Sequence, residues 1–223
     1  GGAFGLMDPV ESFADIAQRK EIYLHVDAAF GGFFLPFMRD IGREVPSFDF
    51  TLPAVSSMMT DGHKMGMMPV STGFFLVRNE DMLQAIPTEE TTIHNLTATK
   101  HGERAAIAWA VMKRLGKTGY RKAAQHVLEI VDFISEGVQK IEGLQLVVPP
   151  FIILISITSD VYDMRKIHEQ MLARGWGHMF GSHNGIEYIR LSVHQSRDMK
   201  NARGFLHALE DSVNTVRKLT AKQ

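Results

Sequence analysis

Two short segments decide the fold: Leu24-His25-Val26-Asp27-Ala28-Ala29-Phe30-Gly31-Gly32-Phe33, and further on Asp61-Gly62-His63-Lys64-Met65-Gly66. Ile22 to Asp27 is short and mostly apolar, the pattern of a strand buried within a sheet. An acid closes it, and the small residues Ala28, Ala29, Gly31 and Gly32 follow, so a flat ligand can approach the backbone. Ala54 to Met59 reads as a second strand, with Lys64 just beyond it. The separation of Asp27 and Lys64, 64 − 27 = 37 residues, is enough for a crossover that returns both strand ends to one edge. Open α/β sheets bind ligands at the carboxyl ends of their strands.

Outward from these segments, residues 9–20 read as a helix. Asp8 is its expected cap, Pro9 suits its first turn, and Val10, Phe13, Ile16 and Ala17 fall on one face. Gly73 to Arg78 reads as a third strand, so the first part of the chain is expected to be a mixed α/β sheet. Residues 88–102 are polar and irregular and read as a mobile loop. A helix from about Glu103 to Leu115 is expected to end at Gly116, and another from about Tyr120 to Ile141 at Gly143. The tail then changes character. Strands are expected at Leu144–Val148, Phe151–Ile157 and Ile186–Val193, and helices at Asp163–Arg174 and Asp198–Leu219. This is an α+β pattern, and it places a domain boundary near residue 118, giving units 1–118 and 119–223. The abrupt start on glycines is that expected of part of a larger protein.

Composition narrows the function classes. The 223 residues are 45% hydrophobic and 22% charged, ordinary values for a folded soluble chain. Lys plus Arg is 24 and Asp plus Glu is 25, a formal net charge of −1. That balance offers no basic excess to attract a phosphate backbone, so no nucleic-acid partner is expected. The absence of cysteine excludes disulfide scaffolds, iron–sulfur clusters and thiol catalysis. The histidines show no tight ligand spacing, and no metal is expected. No apolar run reaches membrane-spanning length, and the N-terminus lacks the pattern of a signal peptide. A cytoplasmic location is the default expectation. The thirteen methionines read as core filler, and Trp109 and Trp176 as core or interface packing.

An acid and a lysine facing one flat ligand is the arrangement that pyridoxal 5'-phosphate uses. The amine forms a Schiff base with the aldehyde, and the acid keeps the pyridine nitrogen protonated. The two motifs, in this order and spacing, resemble the group II pyridoxal-phosphate-dependent decarboxylases, and most of all the archaeal L-tyrosine/L-aspartate decarboxylases. Sphingosine-1-phosphate lyase is a near relative of these. Phe48-Asp49-Phe50, Met67-Met68-Pro69 and Gly116-Lys117-Thr118-Gly119-Tyr120-Arg121-Lys122 add to the likeness, which covers the C-terminal part of the family.

The resemblance implies a fold type I, aspartate-aminotransferase-like architecture. The chain would supply the later part of the large α/β domain and the small C-terminal α+β domain. It also implies roles for individual residues. Lys64 would carry the Schiff base, and Asp27 would pair with the pyridine nitrogen. Ala29 would pack under the ring, His63 would lie beside the cofactor and act in catalysis, and Asp61 would stand near the phosphate. Arg190, in Tyr188-Ile189-Arg190-Leu191-Ser192, would meet a substrate carboxylate, which suits its bidentate geometry. His25 reads as a structural histidine. The implied reaction is decarboxylation of an L-amino acid, of the tyrosine or aspartate class. The implied assembly is a homodimer or a complex with a complementing upstream chain.

Several positions depart from the family pattern. The family's phosphate-cradling segment and ring-stacking histidine lie upstream of this chain. Gly1-Gly2-Ala3 stands where Gly-Thr-Thr is usual, and Asp61-Gly62-His63-Lys64 where Asp-Pro-His-Lys is usual. Lys100-His101-Gly102 replaces Arg-Ser-Gly or Arg-Pro-Gly. Thr91, Thr92, Ile93 and His94 occupy the loop that often carries a protonating tyrosine. Two alternatives therefore stand beside decarboxylation: an aldehyde-lyase of the sphingosine-1-phosphate lyase type, and a non-catalytic fragment.

Overall fold

An apolar strand needs neighbours for its backbone groups, and the run ending at Asp27 finds one. The computed structural model describes residues 4–84 and 102–220. The chain forms two units, Pro9–Ala124, and Gln125–Gln223 with the N-terminal segment Gly1–Asp8. The division falls six residues beyond the expected position near 118, inside a long helix.

The first unit opens with α1 (Val10–Lys20). Its N-cap is Pro9, with no side-chain cap bond, so the cap expected of Asp8 is not the one formed. Its buried stripe is Val10, Ala14 and Ala17, while Phe13 and Ile16 are exposed. Strand β1 (Leu24–Asp27) leads through a 3-10 turn into α2 (Leu35–Asp40). β1 pairs in parallel with β2 (Val55–Asp61), and β2 pairs antiparallel with β3 (Gly73–Val77). The sheet order is β1-β2-β3. The central strand is the buried one, with Val55, Ser57 and Met58 inside. α3 (Glu80–Gln84) follows β3. The expected loop at 88–102, with Thr91, Thr92, Ile93, His94, Lys100 and His101, lies outside the described residues except for Gly102. So do Gly1-Gly2-Ala3 at the N-terminus.

Helix α4 (Glu103–Lys140) is interrupted at Gly116, whose φ of 53° and ψ of −174° are not helical. The run is thus two helices that meet at a kink, and the first ends at Gly116 as expected, where glycine permits a left-handed φ. Trp109, read as a packing residue, is exposed within its unit.

The C-terminal unit is an antiparallel sheet with helices. Strands β4 (Gln145–Leu146), β5 (Leu154–Thr158), β6 (Met179–His183) and β7 (Ile186–Ser192) take the order β4-β5-β7-β6. Every residue of β5 is buried. Ile155, Ile157 and Ile189 of the sheet are fully buried, as are Ile167 and Met171 of α5 (Met164–Ala173) and Phe205 and Leu209 of α6 (Met199–Thr220). Asp163 caps α5, its carboxylate accepting the Arg165 and Lys166 N–H groups at 2.9 and 3.1 Å, a cap of about 1 kcal/mol. Trp176 meets Phe205 edge-on at 5.7 Å between ring centroids.

His178 belongs to a polar chain rather than a metal site. Its Nδ1 donates to the Trp176 carbonyl at 3.0 Å, and its Nε2 stands 2.8 Å from Nδ1 of His168. With Nδ1 of His178 protonated, Nε2 is the acceptor and His168 the donor. Among the described residues, no three His, Asp or Glu side chains converge as a metal site. Burial lowers the pKa of His178, His168 lowers it further, and the Trp176 carbonyl opposes both. The unfolded chain therefore takes up this proton first as pH falls below about 6.5. His178 contributes stability above that pH and loses it as pH falls through the lowered folded value. The thermal midpoint should drop on acidification from pH 7.5, and less steeply in His178→Asn, which keeps a donor for the Trp176 carbonyl. Equal slopes in a pH series of melting curves would contradict this.

Candidate functional site

Parallel pairing of β1 with β2 brings two strand ends to the same edge. Asp27 stands opposite Met59. The pairing then continues past β1, with the Ala28 N–H on the Met59 carbonyl at 2.9 Å and the Asp61 N–H on the Ala29 carbonyl at 3.1 Å. Asp27 and Ala29 thus share the carboxyl edge of the sheet with Asp61, His63 and Lys64. The structure brings these five expected residues together within one unit.

The turn after Asp27 is set by its own side chain, whose Oδ1 accepts the Ala29 N–H at 3.0 Å. The carboxylate remains exposed. The chain then tightens through Gly31-Gly32-Phe33. A β-carbon at Gly32 would strike the Thr60 hydroxyl and its carbon skeleton, so the close approach of this turn to β2 requires glycine.

The lysine loop is held at several points. The His63 N–H and its Nδ1 both donate to the Thr72 carbonyl, at 3.1 and 3.0 Å. The Met68 N–H returns to the Gly62 carbonyl at 3.0 Å. A β-carbon at Gly66 would come within 2.6 Å of the Gly62 carbonyl oxygen. Met67 takes a positive φ of 57°, an uncommon conformation for a residue other than glycine.

Within this frame Lys64 Nζ lies 2.8 Å from Asp61 Oδ2 and 4.4 Å from the Phe30 ring centroid. The Lys64 side chain is 28% exposed and that of Asp61 14%. His63 Nε2 lies 4.0 Å from the same carboxylate oxygen, too far for a hydrogen bond. With Nδ1 spent on Thr72, Nε2 is the ring nitrogen left to exchange a proton with a ligand. The cluster therefore offers a primary amine, two carboxylates and an imidazole around small residues. That donor set fits pyridoxal phosphate: an amine for the aldehyde, an exposed acid for the ring nitrogen, and no bulky side chain at Ala28 or Ala29.

Arg190 belongs to the C-terminal unit. It lies in β7, opposite Ser156 of β5 and Met179 of β6, with its guanidinium against the Met179 sulfur. His25 accords with a structural reading, its Nδ1 2.7 Å from the Ser57 hydroxyl and its ring stacked on Phe75. Sequence reasoning passed over Phe30 as a neighbour of Lys64. A single aromatic between Ala29 and Gly31 carries no periodic signal, and its position depends on where the second motif folds back.

The pyridoxal-dependent decarboxylase conserved domain matches residues 2–158. The chain is 37% identical over 177 residues to the probable L-tyrosine/L-aspartate decarboxylase of Methanothermobacter thermautotrophicus, covering 77% of this chain and 48% of that protein. It is 33% identical over 227 residues to the sphingosine-1-phosphate lyase of Oryza sativa subsp. japonica, covering 97% and 41%. The chain spans about half the length of the curated relatives it matches. Among solved structures, a Burkholderia pseudomallei sphingosine-1-phosphate lyase superposes with a TM-score of 0.84 at 26% identity, over 96% of this chain and 50% of that one. A Lactobacillus brevis glutamate decarboxylase superposes at 0.80 and 20% identity, over 95% and 52%; this likeness is one of fold, the fold type I architecture.

Proposed function

The chain belongs to the pyridoxal-dependent decarboxylase family, and on that premise we propose that it supplies the Schiff-base half of a pyridoxal-phosphate-dependent amino-acid decarboxylase. The observation that carries this reading is the shared edge of β1 and β2. Asp27 and Ala29 lie at and just past the end of β1, beside the end of β2 from which the loop with His63 and Lys64 leaves. Pyridoxal phosphate supplies an electron-accepting ring when bound, so that a bond at the substrate α-carbon can break. Lys64 holds the cofactor aldehyde. Asp61, at 2.8 Å from its Nζ, orients the amine and can take up its charge. Asp27 keeps a proton on the ring nitrogen, and Ala29 leaves room for the ring. His63, through Nε2, is the group able to hold or move a proton. Arg190 is the proposed anchor for the substrate carboxylate. The substrate class is L-aspartate or L-tyrosine, and the relatives named for those substrates support this choice.

The sheet bears on the assembly. Among the described residues, β1 and β3 are both edges of the three-stranded sheet. Phe75 and Leu76, neighbours on β3 and so on opposite faces, are 56% and 40% exposed. Sheets of this class are covered on both faces. A polypeptide that continues the sheet, from a second copy of the chain or an upstream chain, is part of the proposal.

One experiment tests the reading: incubation with pyridoxal phosphate, borohydride reduction, and mapping of the modified peptide. A pyridoxyl adduct on Lys64 alone is expected. No adduct, or scattered labelling of surface lysines, would overturn it in favour of a non-catalytic role. A second reading, cleavage of a phosphorylated long-chain amino alcohol to an aldehyde, is favoured by the superposition at a TM-score of 0.84. Release of aldehyde rather than carbon dioxide would select it.

A further inference from the structure

We propose that Tyr120 is a positioning residue for Lys64, acting through the carbonyl of Gly66; this rests on the reading of Lys64 given above. Tyr120 comes from α4, four residues past the break at Gly116. It is 5% exposed, and its hydroxyl donates to the Gly66 carbonyl at 3.1 Å. Its ring stacks on Phe37, 4.9 Å between centroids and 13° between planes, and leans on Phe33 at 5.8 Å. Burial raises its pKa, so the hydroxyl stays protonated and remains a donor across the working pH range.

The loop it meets is the one that carries the amine. Gly66 lies two residues after Lys64. Around it the Lys64 N–H bonds the Asp61 carbonyl at 3.3 Å, the Met67 N–H bonds the Lys64 carbonyl at 3.3 Å, and the Met68 N–H bonds the Gly62 carbonyl at 3.0 Å. These bonds are local and close the loop on itself. Thr72 fixes it at His63. Tyr120 fixes it on the other side of the lysine, from an element 54 positions away in sequence. Met67 is held at φ 57°, a conformation that persists where the surroundings impose it. Losing the hydroxyl would leave a buried carbonyl without its donor and release that constraint. Lys64 would then sample positions away from Asp61 Oδ2 and Phe30. Gly62-His63-Lys64-Met65-Gly66 shows no sign in sequence of a tether this distant.

The test is Tyr120→Phe, which keeps the stacked ring and removes one oxygen. Position-resolved amide exchange is expected to speed up about tenfold at Met67 and Met68, with Met58 and Thr60 in β2 unchanged. In the full chain, trapping of pyridoxal phosphate on Lys64 by borohydride is expected to slow by a similar factor. Phe37→Leu, which thins the stack and keeps the hydroxyl, should leave Met67 and Met68 within about twofold of their original exchange. Unchanged exchange in Tyr120→Phe would overturn the proposal. So would faster exchange throughout the sheet, or equal effects of the two variants, since both mean that Tyr120 acts only as core packing. No adduct on Lys64 in the unsubstituted protein would be a different failure, that of the cofactor reading itself.

Discussion

Replacing Lys64 with alanine is expected to abolish the pyridoxyl adduct and reduce turnover by about a thousandfold or more, equivalent to ~4 kcal/mol of barrier. Lys64 Nζ stands against both Asp61 Oδ2 and the Phe30 ring, at the edge where Asp27 also stands. The side chain is 28% exposed, so its removal leaves no large cavity, and the fold should survive. Lys64→Arg sharpens the test. A guanidinium keeps a positive charge beside Asp61, yet it stays protonated and cannot form the Schiff base. If charge alone mattered, arginine would restore function; the expected result is that both variants fail alike. Melting curves close to that of the unsubstituted protein would show that the loss is chemical. Retained turnover in Lys64→Ala would remove the basis of the proposed function.

The legibility of this site had a physical origin. The strand ending at Asp27 stands out as a short apolar run closed by an acid, although β1 is an edge among the described residues and only its Val26 is buried, and the lysine motif announces itself through flanking glycines that its tight loop requires. Both signals are local, and so is the α4 break at Gly116. What sequence reading missed depends on contacts between distant segments. Phe13 and Ile16 have helical spacing with Val10, yet the buried stripe of α1 runs through Ala14 and Ala17 instead. Phe4 packs against His183 and Tyr188, and no pattern in an eight-residue segment could specify that partner. Strand β6 was overlooked although Asn184-Gly185 signals a hairpin. Both residues take positive φ, 50° and 81°, the turn that joins β6 to β7. Gly181 within Met179–His183 weakened the strand pattern and hid it. Tyr120 carries only a motif signal in the sequence, and its bond to Gly66 spans 54 positions, a separation that periodicity cannot see.

Asp27→Asn is expected to separate cofactor capture from catalysis. The carboxylate has two tasks, and the substitution removes only one. Oδ1 accepts the Ala29 N–H at 3.0 Å, and an asparagine carbonyl oxygen can do the same, so the turn after β1 should keep its shape. The negative charge is what disappears. A carboxylate facing the pyridine nitrogen favours a proton there, and a neutral amide does not. Capture of the aldehyde depends on Lys64 and needs little from the ring nitrogen, so borohydride should still trap the adduct on Lys64. Turnover depends on how strongly the ring accepts electrons and should fall by about 100- to 1,000-fold, the usual scale for losing one aligned electrostatic partner. Asp27→Ala removes the Ala29 bond as well and is expected to lose thermal stability in addition. The ratio of trapping to turnover is therefore the informative quantity. A parallel decline of both in Asp27→Asn would mean that Asp27 shapes the strand end and does not address the ring. Preserved trapping with collapsed turnover would assign the acid to the ring nitrogen, and the edge shared by β1 and β2 would then be the catalytic edge.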